Sequence, residues 1–161
     1  MKPPPGHSLL TLWRRLRGVP FGAHLFGMAL NITVPYTGAL GPRVLTLEPG
    51  FARVALADRR GVRNHLDSIH ALALANLGEF TSGAAMITAL PADVRSIVTG
   101  LSIEYAKKAR GTVVAEAHVT VPEVHGDVEH DVRAEVRDAA GDVVATITVR
   151  WKLSPRPPAG A

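Results

Sequence analysis

The segment Arg63 to Gly83, RNHLDSIHALALANLGEFTSG, sets an amide, an imidazole and a carboxylate into an otherwise apolar run: Asn64, His70 and Glu79. A carboxylate in apolar surroundings has a raised pKa and is a better base toward water. Glu79, between Leu77 and Phe80, is therefore suited to activate water or to attack an electrophilic carbon itself. The other reading is a helix-face Glu in solvent or bonded to a neighbour. Asp67 or Ser68 is placed to cap a helix over Ser68–Leu90, because either side chain accepts from the first free N–H groups. Such a start offers N–H donors and a partial positive charge to an oxygen becoming an oxyanion. His70 either works at that start or caps and braces it. Asn64 either holds a loop or hydrogen-bonds substrate or water.

Spacing limits what these residues do together. Nine residues separate His70 from Glu79, which on a helix means opposite sides and about 13 Å of rise. They form no tight dyad within one chain. A twofold dimer resolves this, with Glu79 of one chain facing the helix start of the other. Thr81 and Ser82 either orient water or bond their own backbone, and Asn76 suits a helix–helix contact. His130 falls on an apolar strand face, as a core or interface histidine would. His65 and His70 are five apart, which is poor ligand spacing on a helix, and His118 and His125 lie on other elements. No metal is expected. Two cationic clusters, Arg59, Arg60 and Arg63 before the helix and Lys107, Lys108 and Arg110 in a turn, are either phosphate contacts or solvated loops.

The elements that must position these groups follow from periodicity. Ser8–Arg17 carries Leu9, Leu12, Trp13 and Leu16 at helical spacing, and Phe21–Leu30 reads as a second helix. RVLTLEPGFARVAL reads as strand, Pro49-Gly50 turn, strand. The long apolar segment follows and ends before Pro91. Four alternating runs come next. Ile97, Thr99, Leu101, Ile103 and Tyr105 share one face, as do Val113 to Val121, Val128 to Val136 and Val143 to Leu153 at every second position. The short breaks between them imply antiparallel neighbours. A sheet with one buried face and a helix apolar around most of its circumference fit an α+β domain, one curved antiparallel sheet wrapped on one central helix. A second copy would cover the rest of the helix.

With 161 residues, 47% hydrophobic and 20% charged, the chain suits one domain over 8–153, with residues 8–30 as a helical extension and loose ends at 1–7 and 154–161. The absence of cysteine excludes a disulfide framework, a thiolate zinc site and a cysteine nucleophile. The N-terminus lacks signal-peptide character, and no apolar run approaches the roughly 20 residues of a membrane span, so a soluble cytoplasmic protein is expected. A net charge of +4 with few aromatics and no basic recognition helix points away from nucleic acid. It fits a polyanionic coenzyme or a solvated basic surface.

From about Val44 to Leu153 the chain resembles the hotdog-fold thioesterases of the phenylacetyl-CoA and hydroxybenzoyl-CoA type. Their local pattern runs Asn, Gly, His, Gly-Gly, then Leu-Ala and an acid. Here Asn64, His70 and Leu77-Gly78-Glu79 fall on it, while Asp67 replaces the first Gly and Ala71-Leu72 the Gly pair. The resemblance implies a six-stranded antiparallel hotdog sheet and a composite site at the interface of a homodimer or tetramer. It implies hydrolysis of an acyl-CoA or related thioester. Glu79 would act on water or thioester, the helix start near His70, Ala71 and Leu72 would polarise the carbonyl, and Asn64 would position substrate or water. Coenzyme A enters as part of the substrate, with no other cofactor. Loss of the Gly pair favours a second reading, a non-catalytic acyl or acyl-CoA binding hotdog protein.

Overall fold

The computed structural model describes residues 3–4 and 6–157. Three N-terminal helices, α1 (His7–Leu16), α2 (Gly22–Thr33) and α3 (Pro35–Leu40), precede the hairpin of β1 (Arg43–Glu48) and β2 (Phe51–Leu56). A 3-10 turn (Arg60–Val62) leads to the long helix α4 (Ala71–Ala89). Strands β3 (Val94–Tyr105), β4 (Val113–His118), β5 (Val128–Arg137) and β6 (Val143–Pro155) follow. All six strands form one antiparallel sheet in the order β1-β2-β4-β5-β6-β3. This sheet wrapped on one long helix is the arrangement expected of a hotdog fold.

The alternation of apolar residues places the core. Val113, Ala115 and Ala117 of β4, Val132, Ala134 and Val136 of β5, and Ala145, Ile147, Val149 and Leu153 of β6 are buried. They meet Ala73, Leu74, Leu77, Ala85 and Met86 of α4. Each fully buried Leu, Ile or Met contributes about 1.5–3 kcal/mol over leaving it in water. Close approach of helix to sheet requires Gly78, where a Cβ would lie 2.6 Å from Ile147 Cγ1. Gly50 turns the first hairpin at φ +74°, a conformation glycine adopts without steric cost. Its N–H donates to Thr88 Oγ1 at 3.2 Å, tying the hairpin to the end of α4.

Four expectations need correction. First, the expected common face of Ile97, Thr99, Leu101, Ile103 and Tyr105 is split by a bulge between Val98 and Gly100. Ile97 pairs with Lys152, on the outer face. Leu101, Ile103 and Tyr105 pair with Val149, Ile147 and Ala145, on the helix side. Second, α4 begins at Ala71 rather than Ser68. The preceding residues are held extended by Ile69 N–H to Ala109 O and His70 N–H to Val62 O, both at 2.8 Å. Third, β6 runs to Pro155, past the expected domain end at Leu153, and Arg156 bonds Asp93 O and Val94 O. Met1, Lys2, Pro5 and residues 158–161 of the expected loose ends lie outside the described residues. Fourth, part of the cover expected from a second copy comes from the N-terminal helices. Gly6 sits so close to α4 that a Cβ there would lie 2.4 Å from Ile87 O.

Candidate active site

Backbone bonds with long sequence separation build the start of α4. Asn64 Oδ1 accepts from Leu66 N–H at 2.9 Å and Ser68 N–H at 3.3 Å, closing the loop that feeds the helix. Asp67, in this loop, takes a left-handed φ of 52°. The N-cap is His70, not Asp67 or Ser68: its Nδ1 accepts from Leu72 N–H at 3.1 Å. His70 Nδ1 is therefore the unprotonated nitrogen in this geometry. The cap consumes the Leu72 N–H and leaves that of Ala71 with no acceptor among the described residues. Ala71 and Leu72 are both exposed. Tyr105, at the end of edge strand β3, donates its hydroxyl to Ala71 O at 3.0 Å. Burial raises its pKa above the ordinary value. A hollow of about 210 Å³ lies here, lined by Asn64, Ala71, Tyr105, Lys107 and Lys108 among others.

Glu79 lies elsewhere, more than two turns into α4. Its carboxylate has no hydrogen-bond or ion-pair partner among the described residues; only its backbone carbonyl is used, by Ser82 Oγ at 2.8 Å. Desolvation by burial pushes the carboxyl above its ordinary value, because an apolar surrounding penalises the charged form. It faces a cavity of about 500 Å³ between α4, β1 and the N-terminal helices. Helix α3, which the sequence pattern did not suggest, is pinned to α4 by Asn76 Nδ2 donating to Thr37 Oγ1 at 3.1 Å. Thr37 lines the Glu79 cavity, whereas Tyr36 and Leu40 of α3 line a separate hollow with His70 and Leu72.

Within one chain the structure gathers Asn64, Ala71, Lys107 and Lys108 but leaves Glu79 apart from them. Thr81 and Ser82, expected beside Glu79, turn inward. Both are fully buried and donate to Leu77 O (2.6 Å) and Glu79 O (2.8 Å), which removes them from water positioning. Most of the cations are also engaged. Arg59 donates to Ala39 O at 2.9 Å, Arg63 pairs with Asp58 at 2.6 Å, and Arg110 donates to Asp67 O and Leu66 O. Lys107 bridges Asp138 and Asp142 at 2.7 and 2.6 Å. Only Arg60 and Lys108 of the six have no protein partner among the described residues. Asp58 is held below the ordinary carboxylate value by its hydrogen bond to Arg63, so that pair is a loop brace. His130 pairs across the sheet with Trp151 and is half-buried.

Comparison with known proteins puts this geometry in a family. A profile described as "Domain of unknown function (DUF4442)" matches residues 22–153. The chain belongs to the DUF4442 family. The match begins at the start of α2, so it takes in α2 and α3 and leaves out α1. Among solved structures, a structural-genomics crystal structure is 26% identical at a TM-score of 0.78, covering 91% of this chain and 97% of that one. PA5026 of Pseudomonas aeruginosa, a protein of unknown function described as a probable thioesterase, is 24% identical (TM-score 0.74, 86% and 97% covered). A point mutant of the phenylacetic acid degradation protein PaaI from Thermus thermophilus is 26% identical (TM-score 0.62, 73% and 97% covered). No curated protein matches the chain. The DUF4442 chain thus has the hotdog fold, and the solved structures that share it include proteins named as thioesterases. Among its described residues no helix is long and apolar enough to cross a membrane.

Proposed function

We propose that the protein is an acyl-CoA thioesterase-like hydrolase whose site is composite, with Glu79 of one protomer facing the helix start of its partner. The observation that carries this reading is the Glu79 carboxylate, partly buried in an apolar cavity, without a partner among the described residues and with a raised pKa. Burial of a carboxylate is costly unless it is paired or used. The chemistry balances without a cofactor. A water oxygen attacks the thioester carbon as Glu79 takes its proton. The carbonyl oxygen becomes an oxyanion facing the Ala71 N–H. Collapse expels the thiolate of coenzyme A, which takes the proton back, leaving a carboxylic acid and a thiol. Direct attack by Glu79, giving an anhydride that water then opens, uses the same groups. Arg60 and Lys108, with no protein partners among the described residues, are the cations available to the coenzyme phosphates.

Two features support assembly as a homodimer or tetramer. Strand β3 ends the sheet with an open edge, the kind of edge on which a second chain pairs. On it Ile97, Leu101 and Tyr105 are 64%, 44% and 48% exposed. Within one chain, moreover, Glu79 does not reach the helix start.

A second reading has its own support: a non-catalytic acyl or acyl-CoA binding hotdog protein. Ala71-Leu72 stand where the related pattern has a Gly pair, and the Leu72 N–H is already spent on His70. Thiol release across a panel of acyl-CoAs decides between them. Release by the wild-type protein supports the hydrolase. Tight binding of an acyl-CoA with no release for any member supports the binding protein.

A further inference from the structure

The cavity beside Glu79 carries information about what the thioester's acyl part is. Its α4 wall runs from Glu79 to Ile87, eight residues and so about 12 Å along the helix axis. The facing wall is built mainly by Leu9 and Leu12 of α1 and Phe26 and Leu30 of α2. Polar groups are few. Among the described residues lining it, Glu79 is the only ionisable one. The Thr33 hydroxyl is spent on Ala29 O, Thr37 Oγ1 accepts from Asn76, and the one remaining hydroxyl, that of Ser8, belongs to an exposed residue. A sugar, a nucleotide or the phosphates of a coenzyme would find too few partners here, and their burial would be penalised. Hydrocarbon would find mostly favourable contacts. About 500 Å³ is room for on the order of a dozen or more methylene-sized groups, taking about 30 Å³ for each as for a water in the liquid. A slot about 12 Å long extends well beyond one aromatic ring.

We propose that this cavity is the acyl subsite and that it takes an unbranched aliphatic chain, which makes the N-terminal helices α1 and α2 the element that sets chain length. The inference rests on the thioester reading of Glu79, since it puts the reacting carbonyl at the Glu79 end and the chain terminus toward Ile87. Ile87 is 37% exposed and Leu12 38% exposed, so enlarging either one narrows the slot from its mouth without disturbing the buried core.

The test uses the full chain and CoA thioesters of straight-chain acids from acetyl to hexadecanoyl, alongside phenylacetyl-CoA. The kcat/KM of the wild type should climb with chain length, by up to about fourfold per methylene, the gain for full burial of a CH₂. It should level off once the slot is filled. Ile87→Trp and, independently, Leu12→Trp should lower the ratio of kcat/KM for dodecanoyl over butanoyl by at least about tenfold. Thermal melts of both variants, compared with the wild type, check that they fold. A parallel titration with dodecyl-CoA thioether, which cannot be hydrolysed, is read by calorimetry, which the added tryptophans do not confound. Hydrolysis that is flat in chain length, that favours phenylacetyl-CoA, or whose length ratio is untouched in both folded variants overturns the subsite and leaves the hydrolase standing. If no thioester is cleaved but thioethers bind with length-dependent affinity that Ile87→Trp abolishes, the subsite stands and the hydrolase fails. Absence of both hydrolysis and binding overturns both.

Discussion

The start of α4 and its third turn are made of similar materials and do opposite things with them. At the start, polar groups find partners close by: Asn64 Oδ1 takes two loop N–H groups, His70 Nδ1 takes Leu72 N–H, and Arg63 takes Asp58. At the third turn the Glu79 carboxylate has none among the described residues and sits against hydrocarbon. A polar group whose bonds are met locally holds structure. One held in an apolar place without a bond is available for chemistry. The exception at the helix start is the N–H of Ala71, which has no acceptor among the described residues and takes the complementary role of oxyanion donor in the proposed reaction.

The contrast is sharpened most by deleting that N–H. Ala71 is the first residue of α4 and His70 before it has φ −62° and ψ 140°, a conformation that tolerates a following proline. Ala71→Pro should therefore fold, yet lower thioester hydrolysis by roughly two to three orders of magnitude, as removal of an oxyanion donor does. Mixed in equal amounts and reassociated with Glu79→Gln, it should recover about a quarter of wild-type activity, since half the twofold dimers then carry one intact site. No recovery in proven heterodimers would remove the composite site.

Smaller effects follow at the groups assigned to structure. His70→Ala should lose about 1 kcal/mol from the missing cap and roughly ten- to a hundredfold in hydrolysis through the misplaced helix start. His70→Asn, a good cap, should restore both the melting temperature and the rate. A rate that stays low in His70→Asn would mean that the imidazole itself touches the substrate. Asn64→Ala should cost about 1–2 kcal/mol in denaturant unfolding, the loss of its loop hydrogen bonds, with the chemical step itself little changed in single-turnover kinetics.

The smallest effect tests burial of Glu79 through pH. Its folded-state pKa is raised, so the native state holds a proton that the unfolded chain releases sooner. Stability from this group is therefore present below the unfolded carboxylate value and is lost as pH rises through the folded value. Glu79→Gln has no such dependence. The stability difference, variant minus wild type, should grow across that window and then level off. A variant less stable than the wild type above it would mean that the carboxylate is bonded after all.

Much of this layout was legible from sequence because local period reports local structure. The alternation over Val128–Val136 and the unbroken apolar run of α4 follow from single-face and all-round burial. Pro91 marked the helix end. What was hidden depends on distant partners. The cap moved to His70 because Ala109 and Val62 hold residues 69 and 70 extended, which no local signal reveals. The bulge at Val98–Gly100 turned Ile97 outward although the written alternation continues through it. Helix α3 has six residues, too few to show a period, yet it helps wall the Glu79 cavity. Glu79 was readable as a residue out of place. Its cavity was not, because its walls come from α1, α2, α3, β1 and α4 together.

The central claim is that the Glu79 carboxylate is the working group of a thioesterase. Its most direct test is thiol release from the best acyl-CoA of the panel, measured side by side for wild type and Glu79→Gln with matched melts. The amide keeps the shape but not the basicity, so release should fall by roughly two to four orders of magnitude with little change in substrate affinity and no loss of stability. Full hydrolysis by Glu79→Gln would contradict the account.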